Sequence, residues 1–299
     1  GSVTFGSNTT LSSTTGNPEH LAIAYNKGIN KFMMMYQSSG LRVRVGTGSS
    51  GSVSWTGETV IDSNNTSESL IAADGTSSFI TYFRDRSGGS DNNKGVMRGV
   101  SVSGTTPSAG SRVLVGSQEL QGSPQMFLEY HEALNRFIVF SARDNVGSKM
   151  KVLSISGNTI TAGSEAGFSS TSAAPYGSLE YDPDVEDLYL YYADGDSGGQ
   201  SHITVRRLEI INEVSAAPGQ ISVQAKNEIK SDSASANSQN TGGGWGRTRA
   251  AVGSTHSLMV YKYQSDDKGY VKAVKVKTIS TNVTADNYIG MSQAAYSNG

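Results

Sequence analysis

Glu129 and Glu180 are the two residues of this chain whose type and placement come nearest to a reaction. Each lies eight residues ahead of an apolar anchor, Phe137 or Leu188, inside the runs Met126-Phe127-Leu128-Glu129-Tyr130 and Gly177-Ser178-Leu179-Glu180-Tyr181. Two carboxyl groups held within several ångströms of each other can split a glycosidic bond, one protonating the leaving oxygen while the other attacks the sugar or activates water. Three further segments of the same build carry Ala24, Ile71 and Ala250 at the matching place, and Asp74 falls at a strand end beyond it. The expectation is therefore that the two glutamates hydrogen-bond to Tyr, Ser or Arg249 across an axis, as buried polar groups do. Hydrolysis by the pair is the alternative.

Other chemistry is excluded more sharply. Gly195-Asp196-Ser197-Gly198-Gly199 matches the nucleophile segment of chymotrypsin-like serine proteases. A serine nucleophile needs a histidine base oriented by a carboxylate, and none of His20, His131, His202 and His256 sits in an Ala-Ala-His-Cys context. The segment reads as a turn built from Asp, Gly and Ser. The acidic groups Asp182, Asp184, Glu186 and Asp187, and Asp194 with Asp196, lack the spaced terminal glutamate of an EF-hand loop. They read as solvated turns; no cofactor is expected, and a weakly held calcium is the one weighed against that. The four histidines form no zinc pattern. Absence of cysteine removes disulfides and thiolate chemistry. A net charge of -2 supplies no field for nucleic acid or an anionic bilayer, and no apolar stretch is long enough for a membrane helix.

The elements that must hold these residues repeat. Phe32-Met33-Met34-Met35-Tyr36, Phe79-Ile80-Thr81-Tyr82-Phe83, Phe137-Ile138-Val139-Phe140, Leu188-Tyr189-Leu190-Tyr191-Tyr192 and Leu258-Met259-Val260-Tyr261-Lys262-Tyr263 recur at spacings of 47, 58, 51 and 70 residues. That period fits four strands per unit. A run richer in small residues precedes each anchor, a third strand with period-2 alternation follows most of them (Leu41-Arg42-Val43-Arg44-Val45, for example), and a weaker fourth strand is expected around Val60, Val113, Phe168 and Val223. The expected fold is an all-β, five-bladed β-propeller of four-stranded antiparallel blades. The blades span about 17–62, 63–118, 119–169, 170–232 and 245–283. Val3-Thr4-Phe5 (blade segment 3–7) would pair onto the last blade and close the ring, removing two open sheet edges. Residues 1–290 then form one domain and 291–299 read as the start of a following module; Gly1-Ser2 reads as a tag remnant.

In such blades the loops entering the first strand and joining the second to the third emerge on one face. The long loops 84–94, 194–200 and 231–246 fall there, so the expected ligand contacts are Trp245, Arg86, Asp91, Asn92, Asn93, Asp194 and Asp196. Trp245 follows Gly242-Gly243-Gly244 and could offer a flat apolar plane to a sugar ring. Trp55, between third and fourth strands, reads as structural.

The Tyr181-Asp182-Pro183-Asp184 turn, the loops opening on Arg84-Asp85, Arg143-Asp144 and Ala193-Asp194, and the third-strand ending Ser154-Ile155-Ser156-Gly157-Asn158-Thr159-Ile160 resemble the propeller repeats of tailed-phage tail fibres and related virion proteins, especially those of marine phages. The resemblance covers residues 3–290. It implies a non-enzymatic receptor-binding and structural module in a virion tail or extracellular adhesin. The implied partner is a host-surface glycan or a neighbouring virion protein, with oligomerisation through flanking fibre regions and affinity raised by multivalency. A five-bladed glycoside hydrolase and a secreted bacterial lectin are the alternatives.

Overall fold

The structure is a computed structural model. It describes residues 19–49, 52–120, 126–143, 147–167, 176–184, 186–195, 201–211, 222–230, 249–252, 257–262 and 269–274. The described residues form antiparallel sheets that follow one another along the chain. The first holds β1 (Glu19–Asn26), β2 (Lys31–Gln37), β3 (Leu41–Ser49), β4 (Ser52–Trp55) and β5 (Thr59–Asp62); the second holds β6 (Thr66–Ala73), β7 (Ser78–Asp85), β8 (Lys94–Ser103), β9 (Thr106–Ala109) and β10 (Val113–Glu119). The third comprises β11 (Met126–His131), β12 (Arg136–Arg143), β13 (Gly147–Ser156) and β14 (Thr159–Gly167); the fourth comprises β15 (Tyr176–Asp182), β16 (Asp187–Gly195), β17 (Ser201–Ile211) and β18 (Ser222–Lys230). The last has β19 (Arg249–Val252), β20 (Ser257–Lys262) and β21 (Gly269–Val274).

The aromatic runs are the second strands, and their composition follows from where they sit. Every residue of β7 is buried. Phe79 and Phe83 enter the apolar cluster shared with the first sheet, while Ile80 and Tyr82 enter the one shared with the third. A strand covered on both faces has no polar face to alternate with, so it reads as a continuous apolar run. Each of these fully buried side chains is worth roughly 1.5–3 kcal/mol of burial. Further out, β3 alternates buried and half-buried residues, and β4 and β14 alternate exposed and half-buried ones.

The sheets stack through their first strands: β1 contacts β6, β6 contacts β11, β11 contacts β15 and β15 contacts β19. A third apolar cluster joins Phe127, Ile138 and Phe140 to Leu179, Leu188 and Leu190. Close approach of the first two sheets needs Gly28, whose Cβ would lie 2.3 Å from the Gly75 carbonyl oxygen.

The outer strands depart from expectation. Gly157-Asn158 is a hairpin turn, so Thr159-Ile160 opens the fourth strand of its sheet and does not end the third; Phe168 lies outside the described residues. The fourth strand is also interrupted. In the first two sheets it is split into β4 and β5, and β9 and β10; in the next two it carries a register shift opposite Lys151–Leu153 and Arg206–Leu208. Such irregularity bends an edge strand and discourages further pairing. Val3, Thr4 and Phe5, expected to close the ring, lie outside the described residues. Trp55 is a β4 residue directly opposite Gly46, whose Cβ would meet the indole ring at 2.8 Å, so the missing side chain makes room for the indole.

Candidate active site

The register of the first hairpins defines which positions are equivalent. Glu129 pairs with Ile138 and Glu180 with Tyr189, each one step outside the pair made by the anchor. The same step is held by Ala24 opposite Met33, Ala72 opposite Ile80 and Ala250 opposite Met259. Ala72 therefore replaces Ile71 as the counterpart in the second sheet, because the β6–β7 hairpin is one residue shorter than the others. Asp74 is no substitute acid. It is buried, and its carboxylate accepts from the Thr76 and Ser78 amides (2.8 and 2.9 Å), the Thr76 hydroxyl (2.5 Å) and the Asn26 amide (3.1 Å).

Alternation along the strands sets the direction of both glutamates. Met126, Leu128 and Tyr130 of β11 join the cluster with the second sheet, so Glu129 shares its face with Phe127 and His131, towards the fourth sheet. Leu179 and Tyr181 of β15 join the cluster with the third sheet, so Glu180 takes the opposite side of its strand. The two carboxyl groups thus stand on adjacent first strands, one sheet apart. Both residues keep partial solvent access.

Burial, and then the negative charge of Glu180, push the Glu129 carboxyl up to about 8, against a hydrogen bond from the Tyr130 amide that favours ionisation. Both causes favour the protonated form of Glu129. Beside it His131 is held neutral: it is 5% exposed, its Nδ1 has no partner among the described residues, and its ring lies 4.9 Å from that of Tyr181. Burial lowers its pKa and outweighs the opposing pull of Asp187 and Glu186.

The hairpin turns at this end are tied together across sheets. Asn26 donates to Asp74, Lys27 forms an ion pair with Glu132, and the Ala133 amide donates to the Tyr181 hydroxyl at 3.3 Å. These bonds give the two glutamates a fixed base. Sequence reasoning missed His131 as their neighbour, although its place two residues after Glu129 on the same strand face was a usable signal.

The expected binding loop is folded on itself. Arg86 donates to Asn93 Oδ1 (2.9 Å) and Ser67 Oγ (3.2 Å), the Asn92 side chain accepts from the Gly88 amide (3.3 Å), and Asn93 Nδ2 donates to Glu119 (3.3 Å). Asp91 lies 3.8 Å from the Arg112 guanidinium and 4.0 Å from the Lys94 amine. These residues are brought together, but their polar groups serve the loop. Asp194 pairs with His202 in the β16–β17 ladder; Asp196 and Trp245 lie outside the described residues, as do Ser197 to Gly199. In the acidic hairpin Asp182 accepts from the Asp184 amide (3.0 Å) and Asp187 from Arg207 (2.8 Å). Among the described residues no three His, Asp or Glu side chains converge as a metal site.

No protein-family model and no curated protein matches the chain. Among solved structures it is similar to a Bacteroides uniformis protein described as a 6-phosphogluconolactonase, with 10% identity, a TM-score of 0.43, and coverage of 86% of this chain and 85% of that one. The exo-β-1,3-galactanase of Phanerochaete chrysosporium gives 9% identity, a TM-score of 0.44 and coverage of 92% and 64%. An exo-1,5-α-L-arabinanase from a bovine ruminal metagenomic library gives 12% identity, a TM-score of 0.40 and coverage of 91% and 97%. The expectation of a non-enzymatic tail-fibre module does not stand. These three solved structures are named for two carbohydrate-cleaving enzymes and a lactonase, not for fibre proteins. Glu129, its carboxyl raised by burial and by the charge of Glu180, stands one sheet away from that residue.

Proposed function

We propose that the chain hydrolyses glycosidic bonds, with Glu129 as general acid and Glu180 as the second carboxylate. The carbohydrate would reach them along the first strands of a closed ring of five sheets. The observation that carries this reading is the pairing of Glu129 and Glu180 at the same register position of two neighbouring first strands, where burial and the charge of Glu180 push the Glu129 carboxyl up to about 8. Acid catalysis at neutral pH needs a group that is still protonated there, and a carboxyl provides one only when its surroundings penalise the anion. In the reaction Glu129 gives its proton to the glycosidic oxygen as the bond to the anomeric carbon breaks. Glu180 either attacks that carbon or takes a proton from the water that does.

The reading is tested by incubating the protein with a panel of plant, fungal and bacterial polysaccharides and measuring new reducing ends. Glu129→Gln and Glu180→Gln should each lower turnover by about 10²–10⁴-fold. Hydrolysis that survives both substitutions, or no hydrolysis on any substrate, would overturn it. The anomeric configuration of the first product would distinguish attack by Glu180 from activation of water.

A further inference from the structure

Two strand residues hold a backbone that only turns should need. His20 in β1 has φ +52° and Glu68 in β6 has φ +44°; the other non-glycine residues with positive φ among those described, Asn30, Ser39, Asn93, Asn135 and Glu186, lie in turns or bends. The two share one register position. Glu19 pairs with Gln37 and Ala22 with Met35, while Ser67 pairs with Arg84 and Leu70 with Tyr82. Counted from the anchors Phe32 and Phe79 these are the same steps, so each first strand sets two residues, His20-Leu21 or Glu68-Ser69, against one on its partner. The same β-bulge is built twice, in neighbouring first strands. A left-handed backbone inside a strand is strained for a residue with a Cβ, and bulges that re-aim side chains gather beside active sites.

Both bulges are held from behind. Ser69 Oγ donates to the His20 carbonyl at 2.6 Å and fixes them side by side. Ser67 donates to the Glu68 carboxylate and accepts from Arg86 Nε at 3.2 Å, and the Arg86 amide donates to the Asn65 carbonyl at 2.7 Å. These contacts place the bulges at the end of the first strands where the β7–β8 loop emerges, opposite the tied hairpin turns. Ser67 and Ser69 are buried, while His20 and Glu68 keep partial solvent access. Glu68 lies level with Phe83, and Glu129 with the position of Ile80, a separation along the strands of roughly 10 Å. We propose that His20 and Glu68 form a distal sugar-binding subsite, which grips an uncharged stretch of the glycan away from the bond that is cleaved. The carboxylate accepts hydrogen bonds from adjacent sugar hydroxyls, and the imidazole adds a donor or an acceptor. A sugar acid would instead set its own carboxylate against Glu68. The role given to the glycan rests on the hydrolase reading, but the binding readout needs no turnover.

Asparagine tolerates a left-handed backbone, so Glu68→Asn with His20→Asn keeps the bulges and removes the two side chains. Binding is measured by calorimetry in the Glu129→Gln protein, which spares the probes from cleavage, with xylohexaose, cellohexaose, N-acetylchitohexaose and hexagalacturonate. An uncharged hexasaccharide should bind, and more tightly than hexagalacturonate. The double variant should weaken that binding at least about tenfold, as expected for a lost hydrogen bond to a charged group. Its melting temperature should be equal or higher, because strain kept for function is relieved. Unchanged affinity in the double variant, no binding of any uncharged probe, or preference for hexagalacturonate would overturn the subsite. Weaker binding accompanied by a lower melting temperature would make the bulges structural and overturn it as well. Polysaccharide cleavage by the unaltered chain is read separately. Cleavage with hexasaccharide affinity untouched by the double variant keeps the hydrolase and removes the subsite; weakened binding without cleavage does the reverse.

Discussion

Two carboxylates, Asp85 where the first two sheets meet and Glu129 where the third and fourth meet, are pushed in opposite directions. Asp85 is fully buried at the end of β7, where burial alone would raise its pKa. Hydrogen bonds from the Ser87 hydroxyl, Arg112, Asn64 and the Ser87 amide prevail and hold it at about 2. Asp62 beside it is 3% exposed and accepts from Arg98 at 3.0 Å, so Arg112 and Arg98 together tie β5, β7 and the β8–β10 region into one strut. Glu129 feels the same desolvation, but its strongest charged neighbour is another carboxylate, and it rises to about 8. Burial does not decide whether a carboxyl is structural or reactive; compensation does. A fully compensated acid holds sheets together, and an uncompensated one is available to move a proton.

The strongest way to break this contrast is to remove the compensation. Arg112→Ala leaves Asp85 in place without its guanidinium and should cost about 3–5 kcal/mol, the usual penalty for stranding a buried charge. Urea denaturation of the variant checks this. Arg112→Ala with Asp85→Asn should recover a large part of the loss, and a loss below about 1 kcal/mol in the single variant would mean that the strut is ornamental.

Stability against pH sharpens the same contrast, because the two groups give slopes of opposite sign. Asp85 has a depressed folded pKa, so its contribution is present above the unfolded value of about 4 and is lost as pH falls through about 2. Glu129 has a raised folded pKa, so its contribution is full below the unfolded value of about 4.5 and is lost as pH rises through about 8. The unfolding free energy should therefore climb between pH 2 and 4 and decline between pH 4.5 and 8. Each slope has a ceiling of about 1.4 kcal/mol per pH unit. Asp85→Asn should flatten the first limb and Glu129→Gln the second. A second limb unchanged in Glu129→Gln would show that another group carries it.

Glu180→Gln should act next in size, on the titration of Glu129 rather than on the fold. Removing the neighbouring charge leaves burial as the main cause of the upward shift, so the Glu129 carboxyl should titrate at lower pH, read by carbon NMR of labelled glutamate. An unmoved titration would separate the two carboxyls and remove the electrostatic argument for a catalytic pair.

The two regions were unequally legible in the sequence, for a physical reason. The aromatic second strands announce themselves because burial on both faces forces a continuous apolar run, and the matching positions of Glu129 and Glu180 follow once those runs are aligned. One miscount shows how local the ruler is: a hairpin shorter by one residue moved the second-sheet counterpart from Ile71 to Ala72. The strut left no such trace. Asp62, Asp85, Arg98 and Arg112 are ordinary surface-type residues scattered over 51 positions, and only the approach of the first two sheets reveals that they meet. The outer strands were misread for the same reason, since Thr159-Ile160 is as good a third-strand ending as a fourth-strand start until the Gly157-Asn158 turn is seen.

The smallest expected effect completes the comparison at the exposed end of the scale. Lys27 and Glu132 reach from the turn of the first sheet to the turn of the third, over Gly75 of the second, and their side chains are 57% and 53% exposed. Solvent screens such a pair and both long side chains lose freedom in forming it, so Lys27→Ala should cost no more than about 0.5 kcal/mol, and less as salt is added. The hydrogen bond from Asn26 to Asp74 and that from Ala133 to Tyr181 hold the same turns without it. A loss above about 2 kcal/mol would place this bridge among the compensated, buried groups rather than the solvated ones. The hairpin end beneath the two glutamates would then be held by charge across three sheets, not by packing.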